Sequence, residues 1–329
     1  MRKFLFVTPI PEDRRARFTE ILGQAGPALN NAGSGDSCEL RFLDREAVTD
    51  DDLRDAELIL GNLPPERLAV CEQLRWLQLD SAGANTYGPE SGLAPDVVLT
   101  NASGAYGTAI SEHMIGCVLM VMKNLANYMP LQERREFRNL GGVKTVEGCK
   151  VVSVGMGDIG SSFARKMHAL GATVYGVRRS VHEKPDYVER MFTPADMDRI
   201  LPEADVVGLS LPETGETAGL FDYARLKKIR PGAILVNVGR GSAIVTDDLA
   251  RAAAEGHFAG VCLDVTDPEP LPADHPLWDM EHVYITPHIS GRFNAPLTYE
   301  RVLDIFDGNL RRYLAGEPLE HVVDRGIGY

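Results

Sequence analysis

The feature of this sequence that most constrains its fold is an apolar run that leads directly into a glycine-rich turn. Residues 151–154 read Val-Val-Ser-Val, and residues 155–160 read Gly-Met-Gly-Asp-Ile-Gly, a G-x-G-x-x-G spacing. A helical pattern follows over residues 161–170, and a second apolar run covers residues 173–177. Strand, glycine turn, helix and strand within about thirty residues is the arrangement that a dinucleotide-binding unit requires. The sequence therefore predicts a Rossmann-like unit that begins near the middle of the chain.

The glycines of this turn predict how a dinucleotide binds. The first allows the tight turn, the second lets the backbone approach a pyrophosphate, and the third lets the helix pack closely against the strand. The N–H groups at the start of the helix face the anion, because a helix N-terminus carries partial positive charge. Chance glycines in a loop are the alternative, which the flanking strands and helix disfavour. We predict cofactor contacts at Gly155, Gly157, Asp158, Ile159 and Gly160.

The residues after the second strand bear on the choice of cofactor. An NAD-binding unit normally carries an acidic residue there, about twenty positions after the glycines, that holds the ribose 2′-OH. This chain has Arg178, Arg179 and Ser180 instead. Guanidinium groups pair well with phosphate oxygens, so the sequence favours the 2′-phosphate of NADP. A solvated basic turn in an enzyme that uses NAD is the alternative.

Composition and charge exclude several classes of protein. The formal net charge of −13 argues against a nucleic-acid-binding surface, and the five cysteines show neither metal-ligand spacing nor a disulfide framework. Pro9 and Pro11 interrupt the apolar start of the chain, which indicates a first β-strand rather than a signal peptide. The longest apolar helix candidate is too short to span a bilayer. We expect a soluble, cytoplasmic protein without a metal, a nucleic-acid partner or a membrane partner.

Short apolar runs alternate with helical patterns along the whole chain, as is typical of α/β proteins with parallel sheets. Because the glycine turn lies near the middle, roughly the first hundred residues must form a separate unit, to which the C-terminal helix is expected to return. The predicted strands cover residues 4–7, 39–42, 57–60, 76–79, 97–99, 151–154, 173–177, 206–209, 234–238, 260–264 and 283–285. The predicted helices include residues 14–25, 65–71, 108–125, 161–170 and 296–315.

Three reactive side chains follow three successive strands of the predicted sheet. Arg240 comes after strand 234–238, Glu269 after strand 260–264, and His288 after strand 283–285. Ligands of open α/β sheets bind beyond the carboxyl ends of the strands, so these residues are predicted to meet near the nicotinamide. Each could be an ordinary loop residue. Their shared position at three strand ends favours a catalytic interpretation.

Together these side chains supply what the reduction of a 2-oxo acid needs. The guanidinium of Arg240 can bind the substrate carboxylate bidentately and polarise the adjacent carbonyl. The imidazole of His288 can protonate the alkoxide as hydride arrives at carbon. Glu269, hydrogen-bonded to that imidazole, would favour its protonated form and fix its tautomer.

On these residues the chain resembles the D-isomer-specific 2-hydroxyacid dehydrogenases over nearly its whole length. The resemblance implies a flavodoxin-like substrate-binding domain of residues 1–101 and 293–329, into which a dinucleotide-binding Rossmann domain of residues 102–292 is inserted. The predicted fold class is therefore α/β, with two Rossmann-like, doubly wound parallel-sheet domains. The segments that carry the resemblance are residues 78–85 (Gln-Leu-Asp-Ser-Ala-Gly-Ala-Asn), 104–107, 112–113, the glycine turn, 211–217 (Leu-Pro-Glu-Thr-Gly-Glu-Thr), the three catalytic segments and 322–324.

The resemblance also implies the roles of further residues. Arg240, Glu269 and His288 match the family's catalytic arginine, glutamate and histidine. Family members are usually homodimers joined through the nucleotide domain, and helix 108–125 corresponds to part of that interface. The implied substrate contacts are the backbone of the loop Ser81-Ala82-Gly83-Ala84, Arg240 and His288. The implied cofactor contacts are Thr108, Leu211, Pro212, Thr217, Val238, His288 and Asp264, the last of which binds the nicotinamide amide.

Three features distinguish this chain within the family pattern. The pair Arg178-Arg179 resembles the NADP-using glyoxylate/hydroxypyruvate reductases more than the NAD-using members. Phe137 stands where many members carry a tryptophan near the active site. Asp80 precedes the substrate loop and is expected to point away from the pocket, because a carboxylate facing it would repel an anionic substrate.

Other proteins with this fold provide the competing interpretations. Formate dehydrogenases resemble a site with glutamine in place of Glu269, so the glutamate argues against that activity. A short NAD-dependent phosphoglycerate dehydrogenase and an NAD(H)-sensing corepressor are the alternatives. The intact catalytic set in a compact chain disfavours the corepressor. We predict an oxidoreductase that transfers hydride between NADP(H), with NAD(H) as the second possibility, and a small 2-oxo acid or D-2-hydroxy acid.

Overall fold

The computed structural model describes residues 2–30, 38–180, 183–291 and 293–327, in which strands and helices alternate. The strands are β1 (Arg2–Phe6), β2 (Cys38–Phe42), β3 (Ala56–Leu60), β4 (Trp76–Gln78), β5 (Val98–Thr100), β6 (Lys150–Val154), β7 (Thr173–Val177), β8 (Arg190–Phe192), β9 (Val206–Leu209), β10 (Ala233–Asn237), β11 (Phe258–Leu263) and β12 (Val283–Ile285). The helices are α1 (Glu12–Asn30), α2 (Asp50–Arg54), α3 (Gly107–Met122), α4 (Leu125–Glu133), α5 (Asp158–Ala169), α6 (Tyr223–Leu226), α7 (Thr246–Ala254) and α8 (Pro296–Ala315).

The chain separates into two compact units. The first consists of Met1–Ala105 and Pro296–Tyr329, and the second of Tyr106–Ala295. The first segment of the first unit ends at residue 105, four residues after the predicted boundary at 101. The second unit ends at residue 295, three residues after the predicted boundary at 292. Arg292, the predicted second boundary, lies outside the described residues. The second unit is thus an insertion, in sequence, between the two segments of the first.

The sheet of the first unit is covered on both faces. Its strand order is β2-β1-β3-β4-β5, and every strand pair is parallel. Strands buried on both faces need continuous apolar runs, which is why β1 and β3 do not alternate with polar residues. On one face Phe6 and Trp76 pack with Phe18 of α1 and Phe306 of α8. The C-terminal helix therefore lies in the first unit, as its apolar pattern predicted.

The sheet of the second unit places the glycine turn at its centre. The strand order is β12-β11-β10-β9-β6-β7-β8, again with parallel pairs only. From β6 the chain passes to β7 on one side, and β9 then lies on the other side, so the direction of winding reverses at β6. Open α/β sheets bind their ligands at such a reversal. The prediction of two α/β units with parallel sheets is confirmed.

Several predicted elements differ from the structure in extent or type. The predicted helix 65–71 is a 3-10 helix, Pro65–Val70. The predicted helix 108–125 ends at Met122, because Asn124 adopts a left-handed backbone conformation (φ 58°) and α4 begins after it. The edge strand β8 was not predicted, since three residues are too few to show a period.

Helices α3 and α4 follow one another closely, and α3 is strongly apolar. Within the described residues, no single helix combines the length and apolarity that crossing a membrane needs. Taken together, α3 and α4 meet both criteria, but they are bent by 67° at the break between them.

Candidate active site

Three adjacent strands of the second unit bring the predicted catalytic residues to one edge of its sheet. Arg240 follows β10, Glu269 follows β11, and His288 follows β12, and these strands lie side by side in the order β12-β11-β10. Because the strands are parallel, their carboxyl ends share one edge. Neighbouring strands lie about 4.8 Å apart, so the distance between β10 and β12, the outer two of the three, is roughly 10 Å.

The imidazole of His288 is hydrogen-bonded to Glu269. Nδ1 of His288 lies 2.7 Å from Oε1 of Glu269. The two side chains are 38% and 42% exposed, so the pair is open to a small molecule. A carboxylate on one ring nitrogen fixes the proton on that nitrogen and orients the other. A pair with this geometry can act as a general acid with an orienting carboxylate.

The turn that carries His288 is built around the buried carboxylate of Asp264. Oδ1 of Asp264 accepts hydrogen bonds from Thr286 Oγ1 (2.6 Å) and from Ile289 N (2.9 Å). Oδ2 accepts from Ser290 N (3.0 Å) and Ser290 Oγ (2.5 Å). Four donors compensate the burial of this carboxylate, whose residue is only 2% exposed. His288 lies inside this turn in a left-handed backbone conformation (φ 52°), which the surrounding hydrogen bonds hold.

The loop that carries Arg240 is held by the last residue of β10. Asn237 donates a hydrogen bond to Arg240 O (3.0 Å) and accepts one from Gly239 N (3.1 Å). Nη1 of the arginine donates to Gly239 O (2.8 Å), so part of the guanidinium is anchored to its own loop. The arginine is half-buried. This loop places a cation at the same sheet edge as the imidazole.

The glycine turn of β6 and α5 has the close approaches that its sequence predicted. Gly155 has φ +96°, and a Cβ there would lie 2.7 Å from the carbonyl oxygen of Ser210. A Cβ on Gly160 would lie 1.7 Å from the carbonyl oxygen of Gly155, so only glycine allows α5 to pack onto this turn. The turn is thus held against the end of β9.

The start of α5 presents backbone donors that fit a dinucleotide phosphate. Among the described residues, no group accepts a hydrogen bond from the N–H of Asp158, Ile159 or Gly160. Such donors at a helix N-terminus are suited to an anion. Arg178 and Arg179 follow β7, the strand next to β6, and both are exposed, as is Ser180. The residues present therefore fit the pyrophosphate and 2′-phosphate of NADP.

The other predicted cofactor residues lie at two strand ends and one helix start. Leu211 and Pro212 follow β9, and Thr217 Oγ1 donates a hydrogen bond to Pro212 O (2.7 Å), which closes that loop. Val238 follows β10 and is buried. Thr108 lies in the first turn of α3, where its carbonyl accepts hydrogen bonds from Lys166 Nζ (3.1 Å) and Ser111 Oγ (3.0 Å).

The predicted substrate loop belongs to the first unit, where it follows β4. Asn62 donates to Ser81 Oγ (3.0 Å), Ser81 Oγ donates to Gly83 O (2.7 Å), and Asn101 donates to Ala82 O (2.8 Å). These bonds hold the carbonyl side of the loop. In the part of the chain that the structure describes, nothing accepts a hydrogen bond from the N–H groups of residues 81–83. The backbone of this loop is suited to bind an anion.

The carboxylate of Asp80 is buried beside this loop. It accepts hydrogen bonds from Thr8 Oγ1 (2.5 Å) and from Arg45 Nη2 (3.3 Å), and the residue is 6% exposed. Burial raises the pKa of Asp80, against the opposing effects of Thr8 and Arg45. The carboxylate of Asp80, which the sequence predicts beside the loop, is thus largely enclosed and faces the guanidinium of Arg45.

Sequence reasoning missed the residues that hold these loops in place. Asn237, Thr286 and Ser290 organise the loops of Arg240 and His288, and Asn62 and Asn101 organise the loop at residues 81–83. The available signal was their position: each lies at or within five residues of a strand's carboxyl end. Ser, Thr, Asn and Asp side chains at such ends can fix a loop by bonding to nearby backbone, as well as bind a ligand.

Comparisons with known proteins identify the family. Residues 115–290 match the family described as "D-isomer specific 2-hydroxyacid dehydrogenase, NAD binding domain". The chain is 32% identical to glyoxylate/hydroxypyruvate reductase A of Serratia proteamaculans over 223 residues, which cover 67% of this chain and 68% of that protein.

Two solved structures have the same fold over almost the whole chain. A D-isomer specific 2-hydroxyacid dehydrogenase family protein of Aeromonas salmonicida has a TM-score of 0.81 and 30% identity, with 98% of this chain and 99% of that chain covered. The NADPH-dependent glyoxylate/hydroxypyruvate reductase of Sinorhizobium meliloti, solved with NADP and sulfate, has a TM-score of 0.81 and 26% identity, with both chains covered fully. The chain belongs to the NAD(P)-dependent D-isomer specific 2-hydroxyacid dehydrogenases.

Proposed function

We propose that this protein reduces small 2-oxo acids to D-2-hydroxy acids with NADPH. The observation that carries the proposal is the His288–Glu269 pair, which lies at the same sheet edge as Arg240 in a dinucleotide-binding unit. An acid, its orienting carboxylate and a cation at adjacent strand ends are the groups that carbonyl reduction beside a carboxylate needs.

The catalytic roles follow from the chemistry of the three side chains. Reduced nicotinamide supplies the hydride when it is bound. His288, with Nδ1 engaged by Glu269, donates the proton on Nε2 to the oxygen of the substrate carbonyl. Arg240 binds the substrate carboxylate and stabilises the charge that develops on the adjacent oxygen. In the first unit, the N–H groups of Ser81, Ala82 and Gly83 are the proposed substrate contacts, because their backbone is suited to bind an anion.

The contacts proposed for NADPH follow the order of the sheet. The pyrophosphate is held at Gly155, Gly157 and the start of α5, and Arg178, Arg179 and Ser180 hold the 2′-phosphate. Exposed guanidinium groups at the end of β7 favour NADPH over NADH. The further contacts proposed along the nicotinamide half are Thr108, Leu211, Pro212, Thr217, Val238, Asp264 and His288.

We further propose a cytoplasmic homodimer formed through the second unit. Helix α4 and the segment after it expose four large apolar side chains, Leu125, Met129, Phe137 and Val143, at 53%, 67%, 110% and 54%. Leu125 and Met129 are four positions apart on α4 and so lie on one face, and apolar side chains grouped on an exposed face are typical of an interaction site. The second unit therefore offers a surface that a second copy of the chain can cover.

The proposal is tested by following the loss of reduced-nicotinamide absorbance with purified protein. NADPH and NADH are compared with glyoxylate, hydroxypyruvate, pyruvate, bulkier 2-oxo acids and a phosphorylated 2-oxo acid, and the product is resolved by chiral chromatography. We expect turnover that favours NADPH and gives the D-isomer. His288→Ala should lower kcat by at least about 1,000-fold while NADPH still binds. NADPH binding without turnover of any acid would support the sensor alternative instead.

A further inference from the structure

The first turn of α5 is hydrogen-bonded to the first turn of α3 through one side chain. Oδ2 of Asp158 accepts a hydrogen bond of 2.7 Å from Gly107 N. Gly107 is the first residue of α3, and Tyr106, which precedes it, makes no side-chain capping bond. The carboxylate of one helix therefore caps the N-terminus of another.

The contact leaves no room for a side chain at Gly107. A Cβ there would lie 2.2 Å from Asp158 Oδ1 and 2.7 Å from Asp158 Cγ, and also 2.7 Å from Ser162 Oγ. The backbone of α3 thus lies directly against the carboxylate. A second bond to α5 follows one residue later, where Lys166 Nζ donates to the carbonyl of Thr108.

The charge of Asp158 is unfavourable for the ligand that its helix is suited to bind. A carboxylate has no proton to donate to a phosphate oxygen. In the first turn of α5, the negative charge of Asp158 interacts favourably with the partial positive charge of the helix N-terminus. The same charge repels a pyrophosphate that binds at these N–H groups. An uncharged side chain would bind the anion better. The hydrogen bond to α3 accounts for an acceptor oxygen at this position.

We propose that Asp158 is a positioning residue that fixes the first turn of α3, and with it Thr108, against the dinucleotide-binding turn, and that it weakens cofactor binding by its charge. The inference rests on the proposed function only in assuming a dinucleotide at this turn. It separates two effects of one side chain. Acceptance of the Gly107 hydrogen bond determines turnover, and the negative charge determines cofactor affinity.

The test compares Asp158→Asn, which keeps an acceptor oxygen and loses the charge, with Asp158→Ala, which loses both. Hydrogen–deuterium exchange of the apo protein, resolved at the Gly107 amide, should be slow in the wild type and in the Asn variant and at least about tenfold faster in the Ala variant. Both variants should bind NADPH about fivefold more tightly than the wild type at low salt, with a smaller difference at high salt. The kcat of the Asn variant should exceed that of the Ala variant about tenfold.

A double-mutant cycle with Gly107→Ala tests the contact itself. The loss of thermal stability caused by Gly107→Ala should be smaller in the Asp158→Ala background, because the nearest clash has been removed. Equal exchange in all three proteins, or additive effects in the cycle, would overturn the proposal whether or not the enzyme turns over a 2-oxo acid. Equal losses of kcat in the Asn and Ala variants would also overturn it. Failure of the wild type to bind any dinucleotide would instead refute the proposed function.

Discussion

Nδ1 of His288 lies 2.7 Å from Oε1 of Glu269, and both side chains are more than a third exposed. The carboxylate accepts a hydrogen bond from Nδ1 and so orients Nε2, the atom proposed to donate a proton during reduction. In Glu269→Gln the amide can present either its oxygen or its NH₂ group to Nδ1, so the ring is oriented less firmly. We expect kcat for reduction to fall about 10- to 100-fold in steady-state assays.

The neighbouring Asp267 provides a matched control for this prediction. It belongs to the same loop, and its carboxylate makes no hydrogen bond or ion pair with the described residues. Asp267→Asn should leave kcat close to the wild-type value. A wild-type kcat in Glu269→Gln would contradict the role of the glutamate.

Replacing Asp264 should disturb the turn of His288 more than it disturbs the fold. Its two oxygens accept four hydrogen bonds from residues 286–290. In Asp264→Asn one oxygen becomes an NH₂ donor that faces other donors, so at least two bonds are lost. We expect kcat to fall about 100-fold in steady-state assays, while circular dichroism stays native.

Ser290→Ala is the graded control for Asp264→Asn, because it removes one donor and leaves the backbone N–H in place. The loss of kcat in Ser290→Ala should be about tenfold smaller than the loss in Asp264→Asn. If both variants lost only NADPH affinity and kept kcat, the carboxylate would act on the cofactor alone. That result would contradict its action through His288.

The arginines after β7 should control the choice between the two nicotinamide cofactors. In Arg178→Ala/Arg179→Ala, charge-assisted hydrogen bonds to the 2′-phosphate are lost, so the Kd of NADPH should rise about 10- to 100-fold. The Kd of NADH should change less than about twofold, as measured by quenching of protein fluorescence. Arg190→Ala, which removes an arginine from β8, is the control. A parallel loss of both affinities would show that the pair binds a part common to both cofactors.

The parts of the structure that could be predicted were those with a repeated or spaced signal. Strands such as β6 and β10 are mostly apolar and do not alternate with polar residues, because parallel strands are covered on both faces. The glycines at 155 and 160 have spacing that close backbone approaches require. The position of Arg240 and His288 at one sheet edge could be predicted, because strand ends are visible in the sequence and parallel strands end at a shared edge.

The contacts between loops could not be predicted, because they depend on how distant segments are oriented. Nothing in the sequence shows that Asp264 accepts hydrogen bonds from residues 25 and 26 positions away, or that Asp158 reaches Gly107 across 51 positions. Asp80 is a similar case. The sequence shows only that its carboxylate lies beside the predicted substrate loop. It does not show that Thr8 and Arg45, which follow other strands, donate hydrogen bonds to that carboxylate and enclose it.

The exposed face of α4 should determine the oligomeric state. Leu125 and Met129 are four positions apart on this helix and so lie on one face, both more than half exposed. Light scattering after size exclusion should give about twice 36.0 kDa for the wild type and about 36.0 kDa for Met129→Glu. Leu170→Glu, at an exposed apolar residue after α5, should remain dimeric. A monomeric wild type would contradict the proposed dimer.

The first unit should lose stability in acid through Glu57. Burial opposes ionisation of this glutamate, but hydrogen bonds from Arg2 and Tyr313 outweigh it and hold the pKa of Glu57 below its ordinary value of 4.5. When the pKa is lower in the folded state, the unfolded state binds more protons, so the contribution is complete above pH 4.5 and is lost as the pH falls through the folded value. Glu57→Gln should therefore destabilise the first unit by about 1–2 kcal/mol at pH 7 and by less near pH 4.

Urea unfolding can follow this change through Trp76, which is fully buried in the first unit. The second tryptophan, Trp278, is removed by Trp278→Phe in all proteins compared, so the emission reports the first unit alone. Glu90→Gln, at an exposed glutamate of the same unit, controls for the loss of one negative charge. A destabilisation by Glu57→Gln that is equal at pH 7 and pH 4 would mean that packing, not the charge, is what the glutamate contributes. Glu57 of β3 accepts hydrogen bonds from Arg2 of β1 and from Tyr313 of α8, so a pH-dependent loss would show that its charge, rather than its packing, stabilises this contact among three elements.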